Sequence, residues 1–214
     1  MSRISKVKIC GITGRLDAEA ASDAGADAIG LIFTDGKRRI SLDEGKHITD
    51  MLPPFITPVA VFSGEPFDEV LGTVKYCGIR VVQLHGAEDD RFCRALKIAG
   101  PYKIIKTIRV REGGALPDYD SPYIDALLFD AYSESEKGGS GLTFDWDALK
   151  GRTFLKPVII AGGLTPENVG RVVRLFKPYG VDTSSGVEKE PRVKDHAKII
   201  EFVKNAKEVE IVGS

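Results

Sequence analysis

The sequence predicts an α/β fold, a single closed (β/α)8 TIM barrel over residues 1–214, and three observations support this prediction. Short runs of apolar, often β-branched residues alternate with amphipathic stretches along the chain. Most of these runs are apolar throughout, which is typical of parallel strands buried on both faces. Eight such runs in 214 residues fit a closed barrel, which usually folds as one domain of about 200–250 residues.

Each apolar run is a predicted strand and each amphipathic stretch a predicted helix. The strands, in chain order, are Val7–Cys10, Ala28–Phe33, Pro58–Phe62, Val81–His85, Lys103–Ile108, Ala126–Asp130, Pro157–Ala161 and Gly180–Thr183. The helices are Asp17–Ala24, Leu42–Met51, Phe67–Tyr76, Asp89–Ile98, Pro166–Phe176 and Val193–Ala206, with a short one at Asp145–Leu149. The glycine-rich segment Glu134–Gly141 is interpreted as a flexible loop, and Val209–Ser214 as a frayed tail.

An open, dinucleotide-binding sheet is the alternative arrangement of alternating strands and helices. Such a sheet would carry a GxGxxG motif after its first strand and an acidic residue that reads the ribose. Here the first strand runs into Cys-Gly-Ile-Thr at residues 10–13, and no acidic ribose reader is evident. The pattern therefore favours the barrel.

The charge balance argues against polyanionic partners. The chain has 30 Lys and Arg against 31 Asp and Glu, so neither nucleic acid nor an anionic membrane surface is an expected partner. The three cysteines form no CxxC pair and no metal-binding spacing with histidine, so no metal site is expected. The N-terminal residues lack the apolar core of a signal peptide, which predicts a reducing, cytoplasmic setting.

Two strand ends carry candidate catalytic residues, because barrel enzymes place their chemistry at the C-terminal ends of the strands. Cys10 ends the first strand and would be either a small buried hydrophobe or a thiolate acting as base or nucleophile. Asp130 ends the sixth strand after four apolar residues and would be either a capping group or a catalytic carboxyl group. Strands one and six are three apart in a ring of eight, so these side chains would face each other across the barrel mouth.

The loops after strands seven and eight resemble a phosphate cradle. Gly162 and Gly163 follow strand seven, just before a predicted helix, and Ser184, Ser185 and Gly186 follow strand eight. Barrels often bind phosphate between these two loops, where exposed backbone N–H groups attract anions. The sequence therefore predicts a phosphorylated small molecule as the ligand.

The loop after strand two contains three consecutive cations, Lys37, Arg38 and Arg39. Such a run is either a solvated face or a clamp in which an arginine holds a carboxylate with two hydrogen bonds. His85, at the end of strand four, is either a satisfied polar residue that closes the mouth or part of the site.

Several of these segments together resemble the phosphoribosylanthranilate isomerase family of tryptophan biosynthesis. The matching strings are VKICGIT at 7–13, GADAIGLIF at 25–33, VQLHG at 82–86, GGSGLTFDW at 138–146, AGGLTPENV at 161–169 and VDTSSGVE at 181–188. The resemblance implies that Cys10 is the general base and Asp130 the general acid. It also implies that Arg38, with Arg39 as the adjacent alternative, holds the anthranilate carboxylate, and that Gln83, His85 and Asp182 shape the site.

The chemistry implied by the resemblance is an Amadori rearrangement of N-(5′-phosphoribosyl)anthranilate to the corresponding 1-deoxyketose. Positioned acid and base groups suffice for it, so no cofactor is expected. The chain is expected to act as a monomer or homodimer.

Other functions remain open on the residues alone. A pentose-phosphate epimerase would need paired acids and metal-binding histidines, whereas only one histidine here lies at a strand end. The related isomerase of histidine biosynthesis would show half-barrel repeats and an Asp at the end of strand one. A catalytically silent, phosphate-binding barrel is the third alternative, and the presence of both Cys10 and Asp130 argues against it.

Overall fold

The computed structural model describes residues 4–110, 119, 121–131, 149 and 151–208. Eight parallel strands form a closed barrel in which each strand pairs with its neighbours in chain order and β1 pairs with β8. The strands are β1 (Lys6–Cys10), β2 (Ala28–Ile32), β3 (Thr57–Phe62), β4 (Val81–Leu84), β5 (Lys103–Val110), β6 (Ala126–Ala131), β7 (Val158–Ala161) and β8 (Gly180–Thr183). The predicted barrel is thereby confirmed, and its strand boundaries differ from the predicted ones by at most two residues.

Six α-helices lie in the described part of the chain. They are α1 (Arg15–Asp23), α2 (Leu42–Met51), α3 (Phe67–Cys77), α4 (Asp90–Ala99), α5 (Pro166–Phe176) and α6 (His196–Lys207). A 3-10 turn, Ser185–Val187, follows β8. None of the helices among these residues combines the length and the apolar character needed to cross a bilayer.

The helix predicted at Val193–Ala206 begins three residues later than expected. Val193–Lys194 instead forms a short strand, β10, paired antiparallel with β9 (Glu188–Glu190). The physical reason is the Asp195 side chain, which accepts hydrogen bonds from the backbone N–H groups of Ala197 (3.1 Å) and Lys198 (3.3 Å) and so caps the helix there. Sequence periodicity alone did not separate this two-stranded β9–β10 ribbon from the helix.

Two layers of apolar side chains hold the barrel together. Alternate strand residues such as Val7 and Ile9 are fully buried in the large cluster between the strands and the helices. A second, smaller cluster lies inside the ring and comprises Val59, Ile105, Ala126, Leu128, Ile159 and Ala161. At the C-terminal ends of the strands the interior changes from apolar to charged, and this charged layer forms the floor of the mouth.

The predicted loop Glu134–Gly141, the segment 145–148 of the short predicted helix and the tail Val209–Ser214 lie outside the described residues.

Candidate active site

Cys10 lies at the end of β1 and is 7% exposed, beside Lys8 on the same face of the strand. The neighbouring strand provides Gly30, which is in register with Cys10. A Cβ atom built on Gly30 would lie 2.6 Å from the Cys10 sulfur and 3.0 Å from the Lys8 ammonium nitrogen. Glycine at this position therefore leaves the space that the thiol and the ammonium group occupy together.

Lys8 forms a buried ion pair with Asp182 of β8. Its Nζ atom lies 3.0 Å from Asp182 Oδ1, and the two side chains are only 5% and 8% exposed. Burial is the largest influence on the pKa of Asp182 and raises it, outweighing the attraction of Lys8. For Lys8 burial is again the largest single influence and lowers the pKa, but Asp182 and Cys10 together raise it above its usual value.

The Cys10 thiol is surrounded by these charges. Burial raises its pKa above the usual range, Lys8 and Lys194 lower it, and Asp182 raises it further. In the substrate-free protein the thiol form of Cys10 is therefore favoured at neutral pH.

Asp130 and His85 form a second pair at the mouth. His85 Nε2 lies 3.1 Å from Asp130 Oδ2, and the two side chains are 24% and 28% exposed, so the pair is open to a ligand. The backbone N–H of His85 donates to Phe62 O at 2.7 Å, which fixes the histidine where β4 ends. Asp130 also acts electrostatically on Asp182, which places the groups of strands one, six and eight in one charged layer.

Gln83 lies deeper in the barrel than His85. It is 2% exposed and its Nε2 group donates to Thr107 Oγ1 of β5 at 3.2 Å. Its Oε1 atom has no hydrogen-bond partner among the described residues. Gln83 therefore connects two strands beneath the mouth.

Arg38, in the loop after β2, is paired with an acidic residue of the chain itself. Its Nε and Nη2 atoms donate to the two carboxylate oxygens of Glu188 at 2.7 and 2.6 Å. Lys194 Nζ lies 3.0 Å from the same carboxylate and 3.0 Å from Ser184 O. Arg38 thus links the loop after β2 to the β9–β10 ribbon that follows β8. Arg39, by contrast, pairs with Asp35 at a largely exposed position.

Gly11, the residue after Cys10, lies against the side chains of Arg38 and Lys194 at the barrel mouth. A Cβ atom on Gly11 would lie 2.6 Å from Arg38 Cδ, 3.0 Å from Ser184 Oγ and 3.5 Å from Lys194 Nζ. The three predicted groups Cys10, Arg38 and Ser184 are therefore neighbours, although 28 and 174 residues separate them from Cys10 in the sequence.

The loops after β7 and β8 are packed directly on each other. Gly162 and Gly163 have φ angles of 84° and 64°, a left-handed pair that turns the chain into α5. Thr183 Oγ1 donates to Leu164 O at 2.7 Å, and a Cβ atom on Gly186 would lie 1.9 Å from that same oxygen. Ser185 is exposed beside them. The five residues predicted to bind phosphate thus belong to two loops in direct contact.

Three charged residues of the site were missed from the sequence, namely Lys8, Glu188 and Lys194. Lys8 carried a signal, because a lysine inside an apolar strand must find an anion when the strand is buried. Glu188 and Lys194 carried none, since each occupies a segment rich in exposed charges.

Among the described residues, no three His, Cys, Asp or Glu side chains are grouped closely enough to bind a metal ion. The charges of the mouth are instead paired with one another.

The chain matches a family model and well-covered relatives. Residues 7–205 match the model of N-(5′-phosphoribosyl)anthranilate (PRA) isomerase. N-(5′-phosphoribosyl)anthranilate isomerase of Pelobacter propionicus is 44% identical over 204 residues, covering 95% of this chain and 96% of that protein. The crystal structure of phosphoribosyl anthranilate isomerase from Thermotoga maritima superposes with a TM-score of 0.78 at 36% identity, covering 95% of this chain and 98% of that one.

A further solved structure is a phosphoribosyl anthranilate isomerase in complex with reduced 1-(o-carboxyphenylamino)-1-deoxyribulose 5-phosphate. It superposes with a TM-score of 0.76 at 35% identity and covers 95% of this chain and 98% of its own. Model, relatives and structures agree over nearly the whole length, and this chain belongs to the N-(5′-phosphoribosyl)anthranilate isomerase family.

Proposed function

We propose that this protein isomerises N-(5′-phosphoribosyl)anthranilate in tryptophan biosynthesis, with Cys10 as general base and Asp130 as general acid. Membership of the family supports the activity. The observation that supports the two roles is the charged layer of the mouth, in which Asp182 interacts both with Cys10 and with Asp130. The base and the acid lie on strands three positions apart in the ring, so the substrate sugar would bind between them.

The reaction would begin at the Asp130–His85 pair. Asp130, acting as general acid, donates a proton to the ribose ring oxygen, the ring C1′–O bond breaks, and the nitrogen lone pair forms an iminium ion. The 3.1 Å contact between His85 and Asp130 supports this role, since it holds the carboxyl group at the mouth.

Cys10 would complete the rearrangement. Its thiolate removes the proton from C2′, the C–H electrons form the C1′–C2′ double bond, and the iminium becomes an enolamine. Tautomerisation of the enolamine then gives the ketose. Both steps move only protons and electron pairs already present in the substrate and the two side chains.

The phosphate would be held by the loops after β7 and β8. Support comes from the left-handed turn at Gly162 and Gly163, the contact of Gly186 with Leu164 O, and Ser184 Oγ, which is buried without a hydrogen-bond partner among the described residues. Backbone N–H groups in such turns bind anions without a cationic side chain.

The anthranilate carboxylate would be held by Arg38. Its side chain passes Gly11, the residue after Cys10, with Cδ closest, and its guanidinium group lies at Glu188. Because Glu188 already accepts two hydrogen bonds from Arg38, the substrate carboxylate would share the guanidinium group with it or displace it. Gln83 and Asp182 would shape the site from below.

A turnover assay with phosphoribosylanthranilate generated in situ tests the activity directly. We expect substrate-dependent formation of the carboxyphenylamino-deoxyribulose phosphate without added metal or cofactor. Binding of the substrate with no conversion would indicate a catalytically silent barrel, and conversion of only another phosphorylated sugar would indicate a different isomerase.

A further inference from the structure

Lys8 is a buried cation that the proposed reaction does not use. Its side chain is 5% exposed, in a strand whose other buried members Val7, Ile9 and Cys10 are apolar or uncharged. Taking an ammonium group and the Asp182 carboxylate out of water costs more than packing two apolar side chains of the same size. A pair retained at this cost, on the floor of a ligand site, points to a role in that site.

The ammonium group that pairs with Asp182 lies on the same side of β1 as the Cys10 sulfur. Residues 8 and 10 point to the same side of β1, and both side chains crowd the space over Gly30, at 3.0 and 2.6 Å from its notional Cβ. The attraction between the two groups raises the pKa of Lys8 and lowers that of the Cys10 thiol. One ammonium group therefore lies near two groups, the Asp182 carboxyl and the Cys10 thiol, that can each carry a negative charge.

The other charges around Cys10 are already committed elsewhere. Lys194 of β10 faces the thiol, but its Nζ atom is bound to Glu188 and to Ser184 O, each at 3.0 Å. Neighbouring β2 contributes only Gly30. The more distant charged groups are Arg38 beside Lys194, and Asp130 and His85 beside Asp182.

We propose that Lys8 is a positioning residue for the general base, and that its ammonium group, shared between Cys10 and Asp182, stabilises the Cys10 thiolate. This role rests on the proposed function of Cys10. The thiol loses its proton to water, the thiolate accepts the C2′ proton of the substrate, and Lys8 stays protonated throughout. Asp182 competes for the same ammonium group and so weakens its effect on the sulfur.

The test is the ultraviolet titration of the Cys10 thiolate, measured as the difference between each protein and its matched Cys10→Ser form. Lys8→Met alone leaves Asp182 buried and unpaired and can prevent folding. The informative comparison is therefore between Asp182→Asn and the double variant Lys8→Met/Asp182→Asn, which both carry a neutral residue at position 182. Circular dichroism establishes that both are folded.

We expect the double variant to titrate at least about one pH unit higher than Asp182→Asn, the shift that a close opposite charge typically causes. Asp182→Asn itself should titrate below the unsubstituted protein, because the competing anion is gone. Equal midpoints in the two variants, or an upward shift on Asp182→Asn alone, would overturn the proposal.

Lys6→Met is the matched control. It removes the same charge from the same strand at the far end of the barrel, where Lys6 is 56% exposed, and should leave the Cys10 midpoint unchanged. The titration needs no substrate, so it is separable from the proposed function. The expected order of midpoints with no turnover of phosphoribosylanthranilate would refute the proposed reaction, and with it the role of Cys10 as base, but would leave the stabilisation of the Cys10 thiolate by Lys8 intact.

Discussion

The two ends of the barrel both hold carboxylates bound by lysine, and the consequences are opposite. At the N-terminal end, Asp27 accepts from Lys6 (2.8 Å) and the backbone N–H of Val7 (2.9 Å) and pairs with Lys207 (2.8 Å), at 22% exposure. Burial raises its pKa, but these three donors outweigh burial and the net pKa is lowered. At the mouth, Asp182 is 8% exposed beside Lys8, and burial wins, so its pKa is raised.

The difference shows how one type of ion pair serves two purposes. Asp125 repeats the N-terminal pattern between β5 and β6, where Lys97, Lys103 and the backbone N–H of Ile104 lower its pKa against the effect of burial. Several donors and access to water make these carboxylates stable as anions. With fewer donors and less water, burial instead raises the pKa of Asp182 at the mouth, and perturbed pKa values of this kind are typical of functional sites.

The largest expected effect is the loss of activity when the proposed base or the proposed acid of the mouth is replaced. Cys10→Ser and Asp130→Asn should each keep the fold and lose about 10²–10⁴-fold in kcat, because a positioned acid or base typically contributes that much. The measurement is steady-state kinetics, with circular dichroism as the check on folding. A near-normal kcat in either variant would contradict that residue's assignment.

The pH dependence of kcat/KM should carry the signature of the buried thiol. Cys10 must lose its proton to act as base, and burial raises its pKa above the ordinary value of about 8.5. Activity limited by Cys10 should therefore rise by about tenfold per pH unit from neutral pH and level off only above that value. The check is a pH profile at subsaturating substrate. A base limb completed below pH of about 7 would mean that another group is the base.

Arg38 and Arg39 are adjacent arginines at the rim of the mouth, and comparing their alanine variants tests which of them binds the substrate carboxylate. A guanidinium–carboxylate contact contributes about 1.5–3 kcal/mol, so Arg38→Ala should lower kcat/KM by about 10–150-fold, mainly through KM. Arg39→Ala should change little, since Arg39 pairs with Asp35 where both side chains are largely exposed. If Arg39→Ala is the damaging variant, the carboxylate is held by the adjacent arginine. If neither alters KM, the cluster is a solvated face.

The smallest effect concerns the N-terminal end and stability alone. Asp27→Asn should lower the free energy of unfolding by about 1 kcal/mol at neutral pH, after allowance for solvent screening. The lowered pKa of Asp27 means that its contribution is complete above the unfolded value of about 3.9 and is lost as pH falls through the folded value. Urea unfolding at several pH values should show the two proteins converging in acid.

The control for that measurement is Asp35→Asn, an exposed carboxylate at the other end of the barrel, which should leave stability nearly unchanged. A loss of stability on Asp27→Asn that persists unchanged in acid would contradict the electrostatic explanation and indicate lost packing.

The barrel and the approximate ends of its strands could be predicted from local sequence patterns. Strand periodicity and helix caps are local properties, so Leu42–Met51 and Pro166–Phe176 were predicted at their observed boundaries. Cys10 and Asp130 could be singled out because each terminates an apolar run, and in a parallel barrel that position alone assigns a residue to the mouth.

The pairing of charges, by contrast, follows from long-range contacts. Lys8 meets Asp182 across 174 residues, and Arg38 meets Glu188 across 150, in both cases because closure of the ring brings the first strands beside the last. Nothing local distinguishes Glu188 from its exposed neighbours Lys189 and Glu190. Partner choice and pKa depend on distance and on exclusion of water, and both are set only when the strands close into a barrel.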